Sequence, residues 1–347
     1  MKKLAIIGCS SIGKYHLERL VKFNDIVELA GFCDLVLEKA REFCDFAGSG
    51  QAFTDYREMY DTVNPDMVFI CLPPFAHGEV EYETIRRGIH FFVEKPMALN
   101  IELAKDISKK VKEAGLITAV GFQCRYDTIV EPAMRFMKEN EIVFVEASRI
   151  GAVPNIPWWL QKEKSGGTLV ETAIHQCDMI RYLFDEPVEV FSMATRGFVK
   201  MEDYNTDDLS VTAVRFKGGA LGLISSGCYA TEGASFESKI TFSAKDKRGI
   251  HKILESFEVV EKSSDSGQTD KKHVTDSDGA LSRACKSTLY EEKGDAGIIC
   301  DRTFVEAVVS GDASKIRSPY EDALKSLIFV LSCNKSMETG LAVKIDY

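Results

Sequence analysis

Lys2-Lys3-Leu4-Ala5-Ile6-Ile7-Gly8-Cys9-Ser10-Ser11-Ile12-Gly13 opens the chain with an apolar run that stops at a glycine and gives way to small polar residues. A run apolar on consecutive residues reads as a strand covered on both faces, and the segment after it as a tight turn into a helix. Gly8 to Gly13 fits G-x-G-x-x-G with Ser10 in place of the middle glycine. In that motif the turn aims free N–H groups at a pyrophosphate on the helix N-terminus, and a middle side chain narrows the approach. Ser10 is small enough to fit there or to bond a phosphate itself. An ordinary strand-to-helix turn with serine caps explains the stretch equally well.

The same rhythm continues outward. Apolar runs at Val27 to Cys33, Met67 to Leu72, His90 to Glu94 and Leu116 to Phe122 alternate with helical patterns near 12–22, 35–46, 76–88 and 99–114. Continuous apolar strands separated by crossover helices predict a doubly wound parallel sheet, an N-terminal α/β domain over residues 1–122. Beyond it the pattern changes. Helical stretches near 128–139 and 169–184, with a polar turn at Lys162 to Gly167, surround strand-like runs at 142–150, 188–199, 209–216, 220–229, 236–243 and 251–260. Strands clustered without intervening helices predict an antiparallel sheet of the α+β kind in a second domain, residues 123–347. Residues 263–279 read as a solvated loop, and the chain closes with helical patterns at 297–310 and 320–338.

Length agrees with this division, since 347 residues at about 150 per domain give two. Forty-three basic and 53 acidic residues leave a net charge of −10, which repels phosphate backbones and anionic lipid, so neither nucleic acid nor a membrane is expected as partner. The ten cysteines form no C-x-x-C pair and several sit in apolar runs, as reduced, buried thiols do. Leu4 to Ile7 is shorter than the ~7–15 apolar residues of a secretion signal, and no run approaches the ~18 of a membrane span. These features predict a reduced, cytoplasmic protein.

Several residues carry chemistry. Asp34 ends the second apolar run 21 residues after Gly13, where a carboxylate holds an adenosine ribose diol; Leu35, Val36 and Leu37 follow with no immediate Arg for a 2′-phosphate, which favours NAD over NADP. Asp34 also suits a helix cap. Pro73-Pro74-Phe75-Ala76-His77 makes a stiff turn at the carboxyl end of the next strand, where doubly wound folds bind ligands. Glu94-Lys95-Pro96 follows another strand; a lysine there can donate to a substrate oxygen and stabilise an alkoxide, or can simply be solvated. In a continuous helix after Gly166-Gly167, Glu171, His175 and Asp178 share one face at the border of an apolar stripe, where a carboxylate can orient an imidazole for proton transfer. A core-edge histidine paired with one acid has the same pattern. No His or Cys cluster has the spacing of a metal site.

Taken in order, Gly8 to Gly13, Asp34, Pro73 to His77, Glu94-Lys95-Pro96, Gly121 to Arg125, and Gly166-Gly167 through His175 and Asp178 resemble the glucose-fructose oxidoreductase, inositol dehydrogenase and rhizopine-catabolism (Gfo/Idh/MocA) family. The later Phe304 to Val308, Gly311-Asp312 and Ser318 to Ala323 are similar as well. The resemblance implies a Rossmann domain, a C-terminal α+β domain with a large, mostly antiparallel open sheet, and a homodimer or homotetramer assembled through it. It implies nicotinamide-dependent hydride transfer to or from a secondary alcohol or ketone of a small polyol, a sugar or cyclitol. Lys95 and His175 become the catalytic pair, with Glu171 where the family usually has Asp. Gly8, Ser10, Ile12, Gly13 and Asp34 would hold the adenosine half of NAD. Pro73, His77, Glu94, Lys95, Gln123 and Arg125 would border the nicotinamide half. Trp158 and Trp159 are candidates for stacking on a sugar, or for packing. Two alternatives share the pattern: a glycosidase-type enzyme with transient oxidation and no net redox change, and a cofactor-bound regulator without turnover.

Overall fold

In the computed structural model, which describes residues 1–262 and 285–347, the opening run forms β1 (Lys2–Ile7) and the serine turn leads into α1 (Ser11–Leu20). The alternation continues through β2 (Val27–Cys33), α2 (Leu37–Ala47), β3 (Gln51–Phe53), α3 (Tyr56–Val63), β4 (Met67–Ile70), α4 (Glu79–Arg86), β5 (His90–Val93), α5 (Ile101–Ala114) and β6 (Thr118–Val120). The six strands form one sheet in the order β3-β2-β1-β4-β5-β6, every pairing parallel. Helices on both faces bury all of β4 and Leu4 to Ile7, which is why these strands are apolar at consecutive positions. β3 and α3 leave no such run. Gln51–Phe53 buries only Phe53 fully, and α3 is fixed at its start by Asp55, whose side chain accepts the Arg57 N–H at 2.8 Å.

The rest of the chain runs α6 (Val130–Glu139), β7 (Ile142–Ile150), α7 (Lys162–Ser165), α8 (Thr168–Glu171), α9 (Ile174–Leu183), β8 (Pro187–Thr195), β9 (Leu209–Phe216), β10 (Leu221–Gly227), β11 (Glu237–Ala244), β12 (Lys247–Lys252), β13 (Ser256–Lys262), β14 (Cys285–Glu291), α10 (Ala296–Ser310), α11 (Tyr320–Thr339) and β15 (Val343–Lys344). Nine strands form the second sheet in the order β14-β13-β12-β11-β7-β10-β9-β8-β15. It is antiparallel except where β10 lies parallel to β7. The strand expected over 251–260 is two: the chain reverses after Lys252, with Leu254 at φ +59°, and His251 faces Phe257 across the hairpin. Composition hides that reversal because Ile253 and Leu254 are apolar at the tip. The polar turn at Lys162 contains the single helical turn α7, closed by Gly166 at φ +78°. The loop expected over 263–279 lies outside the described residues. Among those described, no helix is long and apolar enough to cross a membrane.

α8, α9 and α11 cover one face of the second sheet. Along β9 and β10, alternate residues are buried and exposed, the pattern of a sheet covered on one side only. The chain's end also returns to the first sheet. Ser318 donates its hydroxyl to the Val120 carbonyl at 2.7 Å and accepts the Val120 N–H at 2.9 Å, closing the edge at β6.

Between the sheets lies Arg125, in the 3-10 turn Gln123–Tyr126. Its guanidinium makes a two-pronged contact with Asp178 at 2.8 and 2.6 Å and donates to Asp322 and to the Arg317 carbonyl, each at 2.6 Å. Expected at the cofactor, Arg125 is instead 1% exposed, with its donors committed to protein acceptors. Asp178, which also accepts the Ser326 hydroxyl at 2.6 Å, is turned away from the imidazole it was expected to orient. Removing one partner of a buried pair leaves an uncompensated charge. Arg125→Leu should therefore lower stability in urea denaturation by about 3–5 kcal/mol. A loss of under about 1 kcal/mol, the scale of an exposed pair, would contradict this account.

Candidate active site

The β1–α1 turn shows why its glycines are needed. Gly8 sits at φ +95°, and a Cβ there would come within 2.3 Å of the Cys71 carbonyl oxygen; one at Gly13 would come within 2.0 Å of the Gly8 oxygen. The turn thus lets α1 press against the strands. Ser10 is exposed and is the N-cap of α1, yet its side chain makes no capping bond, so it leaves the first N–H groups uncapped. Its hydroxyl instead accepts from Lys39 Nζ at 3.2 Å. At the end of β2 the Asp34 carboxylate accepts the Cys9 N–H at 2.9 Å and the Val36 N–H at 3.0 Å. An uncapped helix start with a partly exposed carboxylate beside it suits the pyrophosphate and ribose of a dinucleotide. Ile12, 37% exposed, lies on the same turn.

At the carboxyl ends of β4 and β5 the chain makes two proline turns. Pro73 precedes the 3-10 turn Pro74–Ala76, and His77 behind it is buried, with Nδ1 2.6 Å from Glu81 Oε1 and Nε2 unpartnered. The Lys95–Pro96 peptide is cis. Lys95 extends its ammonium to Glu171, bonding the backbone oxygen at 2.9 Å and Oε1 at 3.3 Å, with both side chains largely out of water.

The helix expected from 169 to 184 is broken. α8 ends at Glu171, Thr172 and Ala173 form a two-residue break with Thr172 at φ −107°, and α9 starts at Ile174. The break frees the Glu171 carbonyl for Lys95, so the acid partners the amine rather than the imidazole. Burial raises the Glu171 pKa to about 7, against the pull of Lys95, and its second oxygen has no partner. Burial lowers that of His175 to about 3, helped by the cations of Lys95 and Arg149, so the ring is neutral at physiological pH. Its Nδ1 meets the Cys124 thiol, itself pushed up by burial to about 12, at 3.7 Å.

Lys95 and His175, 80 positions apart by number, line one cavity of about 90 Å³. Ile12, Glu94 and Gln123 line it too, as do His16 on α1 and Cys300 and Asp301 on α10. His16 and Asp301 left no local signal: their contact spans 285 positions, and only the fold shows it. Of the two tryptophans, Trp159 is 2% exposed and packs with Leu160 and Cys228, a core role rather than a stacking one. Trp158 is half-buried, its ring centroid 6.4 Å from that of Phe75.

Residues 2–122 match the model of the Gfo/Idh/MocA oxidoreductase family with an NAD-binding Rossmann fold, and residues 140–245 match a Gfo/Idh/MocA C-terminal domain. A myo-inositol 2-dehydrogenase of Thermotoga maritima is 26% identical, the match covering 99% of this chain and 98% of that protein. A scyllo-inositol 2-dehydrogenase (NAD(+)) of Bacillus subtilis is 29% identical over 63% of this chain and 65% of its own. Among solved structures, a levoglucosan dehydrogenase in complex with NADH and levoglucosan covers both chains entirely with a TM-score of 0.82 at 19% identity. The myo-inositol 2-dehydrogenase of Lactobacillus plantarum covers 99% of each with a TM-score of 0.79 at 21% identity. With both halves matched, a parallel Rossmann sheet and a mostly antiparallel nine-stranded one, this chain belongs to the Gfo/Idh/MocA family of oxidoreductases.

Proposed function

We propose that the protein interconverts a secondary alcohol and a ketone on a sugar or cyclitol ring, with NAD as hydride carrier, in the reduced cytoplasm. The observation that carries this reading is a lysine and a neutral histidine lining one cavity beside the β1–α1 turn. The myo-inositol and scyllo-inositol dehydrogenases among the relatives support the substrate class. When bound, the nicotinamide supplies the hydride acceptor or donor. Gly8, Ser10, Ile12 and Gly13 would hold the pyrophosphate at the start of α1, and Asp34 the ribose diol, where its charge disfavours a 2′-phosphate. Pro73, His77, Glu94 and Gln123 would border the nicotinamide half, and Trp158 the sugar.

Lys95 donates to the reacting oxygen and stabilises its developing charge. His175, unprotonated, accepts the hydroxyl proton during oxidation. Because burial makes the protonated ring a strong acid and no carboxylate among the described residues touches it, the proton ends on Glu171, whose affinity is matched to neutral pH, by way of the Lys95 ammonium that bonds Glu171 Oε1 at 3.3 Å. Glu171 accepts only when ionised, so oxidation should rise as pH increases through about 7. Glu171→Gln should abolish that limb and slow turnover about 10²-fold, whereas Glu171→Asp keeps the limb; a profile unchanged in Glu171→Gln would remove Glu171 from the relay.

Lys95→Ala should reduce kcat by about 10²–10³-fold while NADH affinity, read by fluorescence, stays within a few-fold. The decisive screen offers sugars and inositols with NAD and NADP and follows absorbance of the reduced cofactor. Cleavage of a glycoside without net reduction would select the glycosidase-type alternative, and NAD binding with no turnover across the panel the regulator.

The open face of the second sheet supports assembly with a second copy of the chain. Its register sets Leu221 beside Phe144, Val211 beside Met193 and Ala213 between Leu223 and Phe191, and each of these large side chains is at least 37% exposed. So broad an apolar patch on a sheet is the signature of an interface. Analytical ultracentrifugation should find a dimer or tetramer, and Phe191→Glu with Leu223→Glu should dissociate it. A monomeric wild type would refute the assignment.

A further inference from the structure

Both ring nitrogens of His16 face carboxylates. Nδ1 lies 3.0 Å from each oxygen of Asp301, and Nε2 lies 3.0 Å from Glu94 Oε1. A neutral imidazole has one N–H to give, so one contact would set a lone pair against a carboxylate; with a proton on each nitrogen, both become donated bonds. Burial alone pushes the ring down, but Asp301 and Glu94 more than reverse this and hold its pKa up at about 9. Arg19, its guanidinium 3.8 Å from Asp301, adds a second cation. Phe69 and Phe92 pack against the imidazole with centroids 5.2 and 5.1 Å away, so little water screens the set.

The arrangement matters for Glu94 because the next residue is Lys95. A free carboxylate beside a lysine in a half-buried turn would draw the ammonium to itself. Here Glu94 Oε1 is occupied by His16, and Oε2 accepts only the Lys95 backbone N–H, at 3.2 Å. The carboxylate also lies flat against Gly121, where a Cβ would come within 2.3 Å of Oε1. The Lys95 ammonium is left to Glu171.

Resting on the reading of Lys95 as the group that meets the reacting oxygen, we propose that His16 is a positioning residue. With Asp301 it holds the Glu94 carboxylate against Gly121 and off the neighbouring ammonium, so that Lys95 reaches Glu171 and the cavity. The device joins α1, which starts at the dinucleotide turn, to α10 from the far end of the chain.

The test compares His16→Leu, Gly121→Ala, Glu94→Gln and the His16→Leu/Glu94→Gln double variant. Two readouts are used: steady-state kinetics, and the rate at which acetic anhydride modifies Lys95, measured by peptide mass spectrometry. His16→Leu should lower kcat about 10- to 100-fold with KM within a few-fold, and should slow Lys95 modification as Glu94 claims the ammonium. Gly121→Ala leaves His16 in place but pushes the carboxylate aside, and should give the same two changes; it carries the test if His16→Leu does not fold. In the Glu94→Gln background, adding His16→Leu should have little further effect on either readout. Wild-type modification of Lys95 in both His16→Leu and Gly121→Ala, or multiplicative losses in the double variant, would overturn the proposal. If no polyol is turned over at all, the reading of the activity fails, and Lys95 modification still decides the role of His16.

Discussion

A charge withdrawn from water must be met by another, and the region between the two sheets is built around that requirement. Desolvating a single ion costs several kcal/mol even after relaxation, and close partners must offset it. Among the described residues, sets that do so include Arg125 with Asp178 and Asp322, His16 with Glu94 and Asp301, and Lys95 with Glu171. Each joins residues distant in sequence, and together they fix how the 3-10 turn after β6, the Glu94 turn, α9 and α10 lie against one another. In the first set the paired Arg125 and Asp178 are both buried, which suits a structural tie. The third keeps one orphaned carboxylate oxygen on the partner of a cavity-lining lysine, which suits a group that exchanges a proton.

The same electrostatics separates the candidate acid and base groups. Burial acts on Glu171 and His175 alike but in opposite directions, because it always disfavours the charged form. The carboxyl is pushed toward neutrality and the imidazole far below it, so neither matches its behaviour in water. The helix break at Thr172 is what allows the difference. It releases the Glu171 backbone carbonyl for Lys95 and leaves His175 against Cys124, with no carboxylate on the ring. A continuous helix would have kept that carbonyl in its own hydrogen-bond ladder.

Family likeness and local chemistry bear on different questions. The match over both halves establishes the scaffold and its class of chemistry. The structural neighbours, at about a fifth identity, speak to the fold alone. Residue choices such as Ser10 bonded to Lys39, or Glu171 with its extra methylene, belong to this chain. They lie where a shift of about 1 Å matters to rate and affinity.

Periodicity in the chain determined what depends on neighbours a few positions apart. Strands buried on both faces must be apolar throughout, so β1, β2, β4, β5 and β6 were legible, and the turns after them pointed to Gly8, Asp34 and Lys95. β3 and α3 were not, being too short or too mixed in composition to stand out, and the β12–β13 reversal is hidden because its tip, Ile253-Leu254, is apolar. Tertiary structure alone decided the partners of the buried charges: Arg125 with Asp178 rather than a cofactor, Lys95 with Glu171 rather than solvent, and His16 with Asp301 across 285 positions. The physical reason is range. Hydrophobic patterning is written into each element as it forms, whereas a desolvated ion is satisfied by whichever opposite charge the folded chain brings within about 3 Å, and no local stretch of sequence records that distance.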